Sequence, residues 1–238
     1  MKKLKPNDGR AKAAIILIWI ILGLEVLSLI SSYMQLNLLG YADTDLMYFL
    51  DNVNANDLRE LIIGWTYTAA FIVSAVTFIL WFRRAYYNLH QKVSYLEYED
   101  GWAAGSWFIP ILNLFRPITI MVELYNYTQE YLEKNGITLK EKLRKGNLAL
   151  WWSLWILNNI MGQIIFRYSR SAESVEDFMT STKIEMIGST IGIFLCLITV
   201  KVISDYAKVE PLLFEVQEEG EMLNDEFEIG SSTALLDD

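Results

Sequence analysis

The sequence predicts an all-α membrane protein: four transmembrane helices, one re-entrant or half-spanning hairpin, a cytoplasmic interfacial helix and a disordered acidic tail. The first observation behind this is that the apolar residues form long, nearly uncharged blocks, in a chain that is 53% hydrophobic. Such blocks are typical of spanning helices, because a helix satisfies its own backbone hydrogen bonds in lipid. The second is the placement of the basic residues. The third is one apolar segment that is too short to cross a bilayer.

Four apolar blocks are long enough to span. The predicted spans are about residues 13–32, 61–82, 148–166 and 184–203, within a membrane domain of residues 13–210 that follows a basic N-terminus of residues 1–12. The first block resembles a secretory signal, but no small-residue cleavage site follows Leu24. We therefore expect a retained signal anchor.

The segment from Trp102 to Phe115 is apolar and uncharged, but it is short. As a helix it would reach only about 21 Å across a hydrocarbon core of about 30 Å. Pro110 removes a backbone donor and Asn113 adds a polar amide. A span extended to Val122 would place Arg116 in lipid, so we expect residues 102–115 to be re-entrant; an ordinary span over 102–122 is the alternative.

The distribution of Lys and Arg predicts the orientation. With four spans and one re-entrant element, 16 of the 20 basic residues fall on the side that holds both termini. A full crossing at residues 102–115 would move the basic cluster near Lys145 to the opposite side. The positive-inside rule therefore favours a cytoplasmic N-terminus and C-terminus, in a bacterial cytoplasmic (inner) membrane.

The remaining segments are predicted as loops, one surface helix and a tail. Two solvated outer loops are expected at about residues 35–60 and 167–183, and the first lacks the spacing of a calcium loop. Residues 118–133 have the apolar spacing of an interfacial helix. Residues 211–238 carry the excess acidic charge behind the net charge of −9, so we expect disorder there.

Two sequence segments form a recognisable motif. The first is Trp81-Phe82-Arg83-Arg84-Ala85-Tyr86-Tyr87-Asn88-Leu89, and the second runs from Gly101 to Pro117 as GWAAGSWFIPILNLFRP, followed by Glu123-Leu124. Together they resemble the bacterial multi-pass membrane family known as domain of unknown function 4328 (DUF4328), over roughly residues 61–202. The resemblance implies a multi-pass membrane fold and carries no established activity.

The motif residues form the candidate structural or ligand cluster. They are Arg84, Asn88, Trp102, Gly105, Trp107, Pro110, Asn113, Pro117 and Glu123. Pro110 frees a carbonyl that needs a new donor, and we expect Arg84, Asn88 and Asn113 to gather around it or around Glu123. One interpretation is that this cluster holds the hairpin; the other is that it lines a polar cavity for a headgroup or solute.

Polar side chains within the predicted spans form a second candidate set. These are Glu25, Asn158, Asn159 and Gln163. A carboxylate at the depth of Glu25 must turn away from lipid, so we expect it to have a polar neighbour from this set.

Three classes of function remain open at this point. We expect first a non-enzymatic scaffold or regulator that engages the bilayer and binds a cytoplasmic protein through its acidic tail. The alternative is a small transporter or pore, formed by a homo-oligomer, that uses the intramembrane polar residues. A lipid-active enzyme ranks last, since no nucleophile motif or metal-ligand set is evident and His90 is the only histidine. We expect no cofactor, and the basic residues follow topology rather than a nucleic-acid-binding pattern.

The predicted orientation has a direct test. Reporter fusions after Lys145 should report a cytoplasmic location, because the basic residues around it belong to the cytoplasmic side. A periplasmic signal at that point would mean that residues 102–115 cross the membrane fully.

Overall fold

The computed structural model describes residues 3–139 and 142–216, and this part of the chain is helical without strands. Its helices are α1 (Asp8–Leu39), α2 (Leu46–His90), α3 (Trp102–Gly105), α4 (Arg116–Lys134), α5 (Lys145–Ser171) and α6 (Val175–Val209), with a 3-10 helix at Leu112–Leu114. Four of them, α1, α2, α5 and α6, are long and apolar enough to cross a membrane. The all-helical class and the four candidate spans agree with the sequence prediction. The expected tail falls mostly on residues 217–238, which lie outside the described residues.

The two outer loops are much shorter than the sequence predicts. Only residues 40–45 separate α1 from α2, and only residues 172–174 separate α5 from α6. Helix α2 begins well before the predicted span at residue 61. Asp45 caps its first turn, and the Asp45 Oδ1 accepts a hydrogen bond from the backbone N of Tyr48 at 3.1 Å. With 45 residues, α2 is about 68 Å long, more than twice the thickness of a hydrocarbon core.

A capping box starts α6. The Ser174 hydroxyl accepts from the backbone N of Asp177 at 3.1 Å, and the Asp177 carboxylate accepts from the backbone N of Ser174 at 3.1 Å. These paired bonds satisfy backbone donors that the first helical turn leaves open. The solvated loop expected over residues 167–183 is therefore mostly helix.

The chain divides into two compact units, and the boundaries fall within α2 and α6 and directly after the first residues of α1 and α5. The first, here called the spanning unit, comprises Gly9–Trp81 and Gly146–Ile203. Large apolar side chains on its outer surface are exposed, among them Ile16, Trp65 and Phe194. An apolar surface of this extent suits a lipid environment.

The second, here called the motif unit, consists of the described parts of residues 1–8, 82–145 and 204–238. Helix α4 supplies much of its core, with Ile120, Met121 and Leu124 fully buried. The helix expected at residues 118–133 is thus present, and most of its predicted apolar face is buried, at Met121, Tyr125 and Leu132. Ile118 and Val122, expected on the apolar face, are only partly buried.

A Schellman motif ends α4. Gly136 has φ 81°, and the backbone N of Ile137 donates to the Leu132 carbonyl at 3.0 Å. A residue with a side chain adopts this left-handed conformation at a cost, so glycine suits the position.

Residues 102–115 do not form a continuous helix. Helix α3 ends after four residues, turns follow, and Ile111 has φ 70°, which is unusual for a β-branched residue. The alternative of an ordinary span over residues 102–122 is therefore wrong. Phe108 and Ile111 are 75% and 72% exposed, so this irregular segment presents apolar side chains outward.

Candidate functional site

The motif residue Asn88 lies at the centre of a buried cluster in the motif unit. Its Oδ1 accepts from the backbone N of Lys5 at 3.0 Å, and its Nδ2 donates to the Lys5 carbonyl at 2.9 Å. The same Nδ2 donates to Glu210 Oε1 at 2.8 Å. Asn7 also donates to the Glu210 carboxylate, at 3.0 Å. Asn88 therefore binds the backbone of the N-terminal segment much as a neighbouring strand would.

Glu210 is a buried carboxylate that follows the end of α6. Burial raises the pKa of Glu210 to about 7, against the hydrogen bonds from Asn7 and Asn88, which favour the charged form. The negative charge of Asp8 raises this pKa further, while the positive charge of Arg84 lowers it. Arg84 thus acts on this cluster through its charge.

Glu123 is held by a different part of the motif. The Tyr86 hydroxyl donates to Glu123 Oε2, and the backbone N of Glu97 donates to Oε1 at 3.1 Å. Desolvation and the neighbouring Glu123 charge raise the pKa of Tyr86 above its usual range. The predicted pairing of Glu123 with Arg84 or Asn88 is therefore replaced by a pairing with Tyr86.

The rest of the motif segment is described residue by residue, starting with Arg116. The Arg116 guanidinium lies over the rings of Tyr98 and Trp102, at 4.8 and 4.5 Å from their centroids. Pro117 is buried in the first turn of α4, where proline fits because that turn needs no amide donor. Gly105 and Trp107 are partly buried.

The predicted cluster of Arg84, Asn88, Pro110 and Asn113 is not present in this form. Pro110 is exposed, and within the described residues the Asn113 side chain makes no hydrogen bond. Local backbone bonds hold this turn instead, including one from the backbone N of Asn113 to the Ile109 carbonyl at 3.0 Å. Backbone bonds therefore stabilise this segment locally, and the polar partners of Asn88 are instead Lys5 in the N-terminal segment and Glu210 just after α6.

The spanning unit contains a polar cleft of about 690 Å3. Its polar lining consists of carboxylates, hydroxyls and amides, namely Glu25, Ser28, Ser32, Gln35, Glu60, Tyr67, Thr68, Asn158, Asn159, Ser169, Ser181, Thr182, Glu185 and Ser189. The described residues that line it include no Lys, Arg or His. The cleft is therefore acidic and lies among helices that are otherwise apolar.

Glu25 is buried in this cleft, as its depth in the first span predicted, and is 6% exposed. The Tyr67 hydroxyl donates to its Oε1 at 2.7 Å, and Ser189 is hydrogen-bonded to the same carboxylate. Asn158 and Asn159 line the cleft with it. Gln163 is exposed and is not among the lining residues.

Two glycines of α6 allow the helices to approach closely at the cleft. A Cβ at Gly192 would overlap the Glu25 carboxylate, and one at Gly188 would overlap the side chain of Ile165. Their spacing is the small-xxx-small pattern of closely packed membrane helices. This pattern and the acids Glu60 and Glu185 were readable from the sequence, but they were not included among the predicted site residues.

Glu60 and Glu185 have different environments. Glu60 forms an ion pair with Arg59 at 3.2 Å and accepts from the Ser31 hydroxyl at 2.6 Å. Glu185 accepts from the Ser169 hydroxyl at 2.9 Å and makes no ion pair with any described residue. Glu25 and Glu185 are therefore the two lining carboxylates without a basic partner in the described part of the chain.

Comparison with known families identifies the chain. The model of the family described as "Domain of unknown function (DUF4328)" matches residues 47–208, about two thirds of the sequence. The chain belongs to the DUF4328 family. No curated protein and no solved structure shows significant similarity to it. The match includes Tyr67, Asn88 and Glu185 and excludes Glu25, so this DUF4328 protein completes its cleft with a helix outside the matched region.

Substitutions of Asn88 and Asn113 test whether Asn88 has the partners described here or belongs to the predicted cluster with Asn113. We expect Asn88→Leu to lower the free energy of unfolding by about 1–3 kcal/mol, because it removes one of the donors to Glu210 and both hydrogen bonds to the Lys5 backbone. Asn113→Leu should change stability by less than about 0.5 kcal/mol. Thermal unfolding in detergent measures both, and a larger loss for Asn113→Leu would contradict the arrangement described here.

The raised pKa of Glu210 predicts a pH dependence. A proton bound more tightly in the folded state stabilises it at low pH, and this contribution is lost as the pH rises through about 7. The groups that act on Glu210 are Asp8, Arg84 and Tyr206. Glu210→Gln, which resembles the protonated acid, should match the wild type in melting temperature at pH 5 and exceed it at pH 8.5. An equal difference at both pH values would show that Glu210 does not titrate in this range.

Proposed function

We propose that this protein is a bacterial cytoplasmic-membrane protein that binds a small polar solute in the cleft of its spanning unit. The observation that carries this proposal is a cleft of about 690 Å3 with three carboxylates, among helices apolar enough to cross a membrane. Ionisable groups at membrane depth are costly, and they typically mark solute or ion pathways. The proposal corresponds to the small-transporter alternative.

The polar lining gives the cleft the features of a solute site. Its hydroxyl and amide groups include Ser28, Gln35 and Asn158, and apolar side chains such as Ile63 and Phe71 complete the wall. A wall that combines apolar side chains with polar groups is typical of small-molecule pockets of this size. A lipid tail would leave the carboxylates without favourable partners, so a polar solute fits better.

The proposed topology places the termini and Lys145 in the cytoplasm and lets residues 102–115 re-enter the membrane. The support for re-entry is an irregular backbone with outward apolar side chains at Phe108, Ile111 and Phe115. Such backbone is tolerated at membrane depth where its polar groups are satisfied by turns or by neighbouring protein. Four spans form a narrow pathway, so we propose that transport requires a homo-oligomer.

The scaffold role remains a separate proposal. It depends on the acidic tail as a docking segment for a cytoplasmic protein, and residues 217–238 of that tail lie outside the described residues. Both roles are non-enzymatic, and neither needs a cofactor.

A cleft-filling substitution tests the proposed function. A Cβ at Gly162, which lines the cleft, would meet no atom within 4 Å, so Gly162→Leu fills space without a backbone clash. Gly23→Leu is the matched control, since a Cβ at Gly23 is equally unobstructed and this residue does not line the cleft. We expect at least one solute in a panel of amino acids, sugars and amines to raise the melting temperature of the wild type and Gly23→Leu, and to have little effect on Gly162→Leu.

Two results would contradict the proposal that a solute binds in the cleft. One is that no solute of the panel stabilises the wild type. The other is that a solute stabilises all three proteins equally, which would place its binding elsewhere.

A further inference from the structure

Helix α2 extends well beyond its predicted span. The uncharged residues 61–82 alone are about 33 Å long, which matches a hydrocarbon core of about 30 Å. Residues 46–60 of the same helix precede them and are here called the outer arm. The outer arm contains four charged residues, Asp51, Asp57, Arg59 and Glu60. Since charges are costly among lipid tails, we expect the outer arm to lie outside the hydrocarbon core.

One face of the outer arm is apolar and exposed. Met47 is 75% exposed, and Leu50 and Leu58 are each more than half exposed. Asn56, on the opposite face of the helix, is buried. Because lipid tails do not reach the outer arm, these apolar side chains need another cover, and exposed apolar patches of this kind typically mark interaction surfaces.

The exposed face continues from the outer arm into the span without a break. At helical spacings of three or four residues it consists of Met47, Leu50, Asn54, Leu58, Leu61, Trp65, Thr68 and Ile72, which are all exposed and are here called the α2 stripe. The stripe is about 38 Å long, so lipid covers only one part of it and a water-soluble protein only the other. The element that covers all of it is a transmembrane helix with an outer extension.

We propose that this element is the α2 helix of a second copy of the chain, packed against the first along the α2 stripe. Copies in one membrane share an orientation, so the two helices run parallel around a two-fold axis. The six apolar side chains of the stripe expose on the order of 700 Å2, close to the about 800 Å2 per partner of a stable interface. The proposal names the interface of the homo-oligomer proposed above and does not depend on what the cleft binds.

Asn54 gives this interface a register. Its side chain lies on the stripe within the outer arm and makes no hydrogen bond to any described residue. An amide has both donors and an acceptor, so two Asn54 side chains can bond to each other across the axis. A single polar residue of this kind fixes the register of parallel helix pairs. Asp51 and Asp57 flank the stripe at its solvated edges, where salt screens their mutual repulsion.

Cysteine cross-linking of the full-length protein in membrane vesicles tests the interface. The chain has one cysteine, the buried Cys196, so the wild type gives the background. Met47→Cys and Leu61→Cys lie on the stripe. Ala55→Cys and Thr66→Cys are the matched controls, because both residues are exposed on another side of α2. We expect at least about fivefold more disulfide-linked dimer at positions 47 and 61, since a disulfide needs two Cα atoms within about 7 Å. Equal cross-linking at all four positions, or none at 47 and 61, would overturn the proposal.

A charged substitution measures the contribution of the stripe. Leu58→Asp places a carboxylate in the proposed contact, and Ala55→Asp makes the same change on another side of the outer arm. We expect Leu58→Asp to raise the dimer dissociation constant at least about tenfold in detergent ultracentrifugation, because two like charges would be buried together. Ala55→Asp should leave it nearly unchanged. A monomeric wild type, or an unchanged constant in Leu58→Asp, would overturn the assignment.

These outcomes are distinguishable from those of the solute experiment. If the stripe cross-links but no solute distinguishes Gly162→Leu from Gly23→Leu, the interface stands and the solute-binding function fails. If a solute depends on an open cleft but positions 47 and 61 do not cross-link, the solute-binding function stands and the interface fails.

Discussion

The burial of Glu25 among apolar helices is the constraint on which the spanning unit depends. A carboxylate in lipid is costly, so α1 must present this residue to other helices. Gly192 leaves the necessary space on α6, and Tyr67 and Ser189 donate to the carboxylate. One side chain therefore relates α1, α2 and α6, and the polar cleft forms around it.

The motif unit depends in a similar way on one buried amide. Asn88 bonds to residues 83 and 122 positions away in the sequence, at Lys5 and Glu210. An amide side chain has both donors and an acceptor, so it can bind a backbone segment and a carboxylate together. The motif around Pro110 predicts other partners for Asn88 than the observed ones, which lie in the N-terminal segment and just after α6.

The sequence was sufficient for the helical class and the four spans, because long uncharged blocks have few other structures available in lipid. It also contained the cap at Asp45 and the capping box at Ser174, which would have corrected the loop boundaries. The contacts of Asn88 and Glu25 could not be predicted from the sequence in the same way. Helical spacing shows which residues share a face, but it does not show which distant side chain that face meets. The choice of Tyr67 over Gln163 as partner of Glu25 depends on how the helices rotate against one another.

The hydration that Glu25 and Glu185 lose in the cleft is a cost to the packing of the spanning unit. A buried carboxylate without a basic partner loses hydration, and hydroxyl donors only partly replace it. Within the region that the structure describes, Glu25 and Glu185 receive such donors and no ion pair. Apolar residues of similar volume would pack these helices at lower cost. Glu25 and Glu185 therefore contribute little to the stability of the spanning unit, which is consistent with the solute-binding role proposed for the cleft.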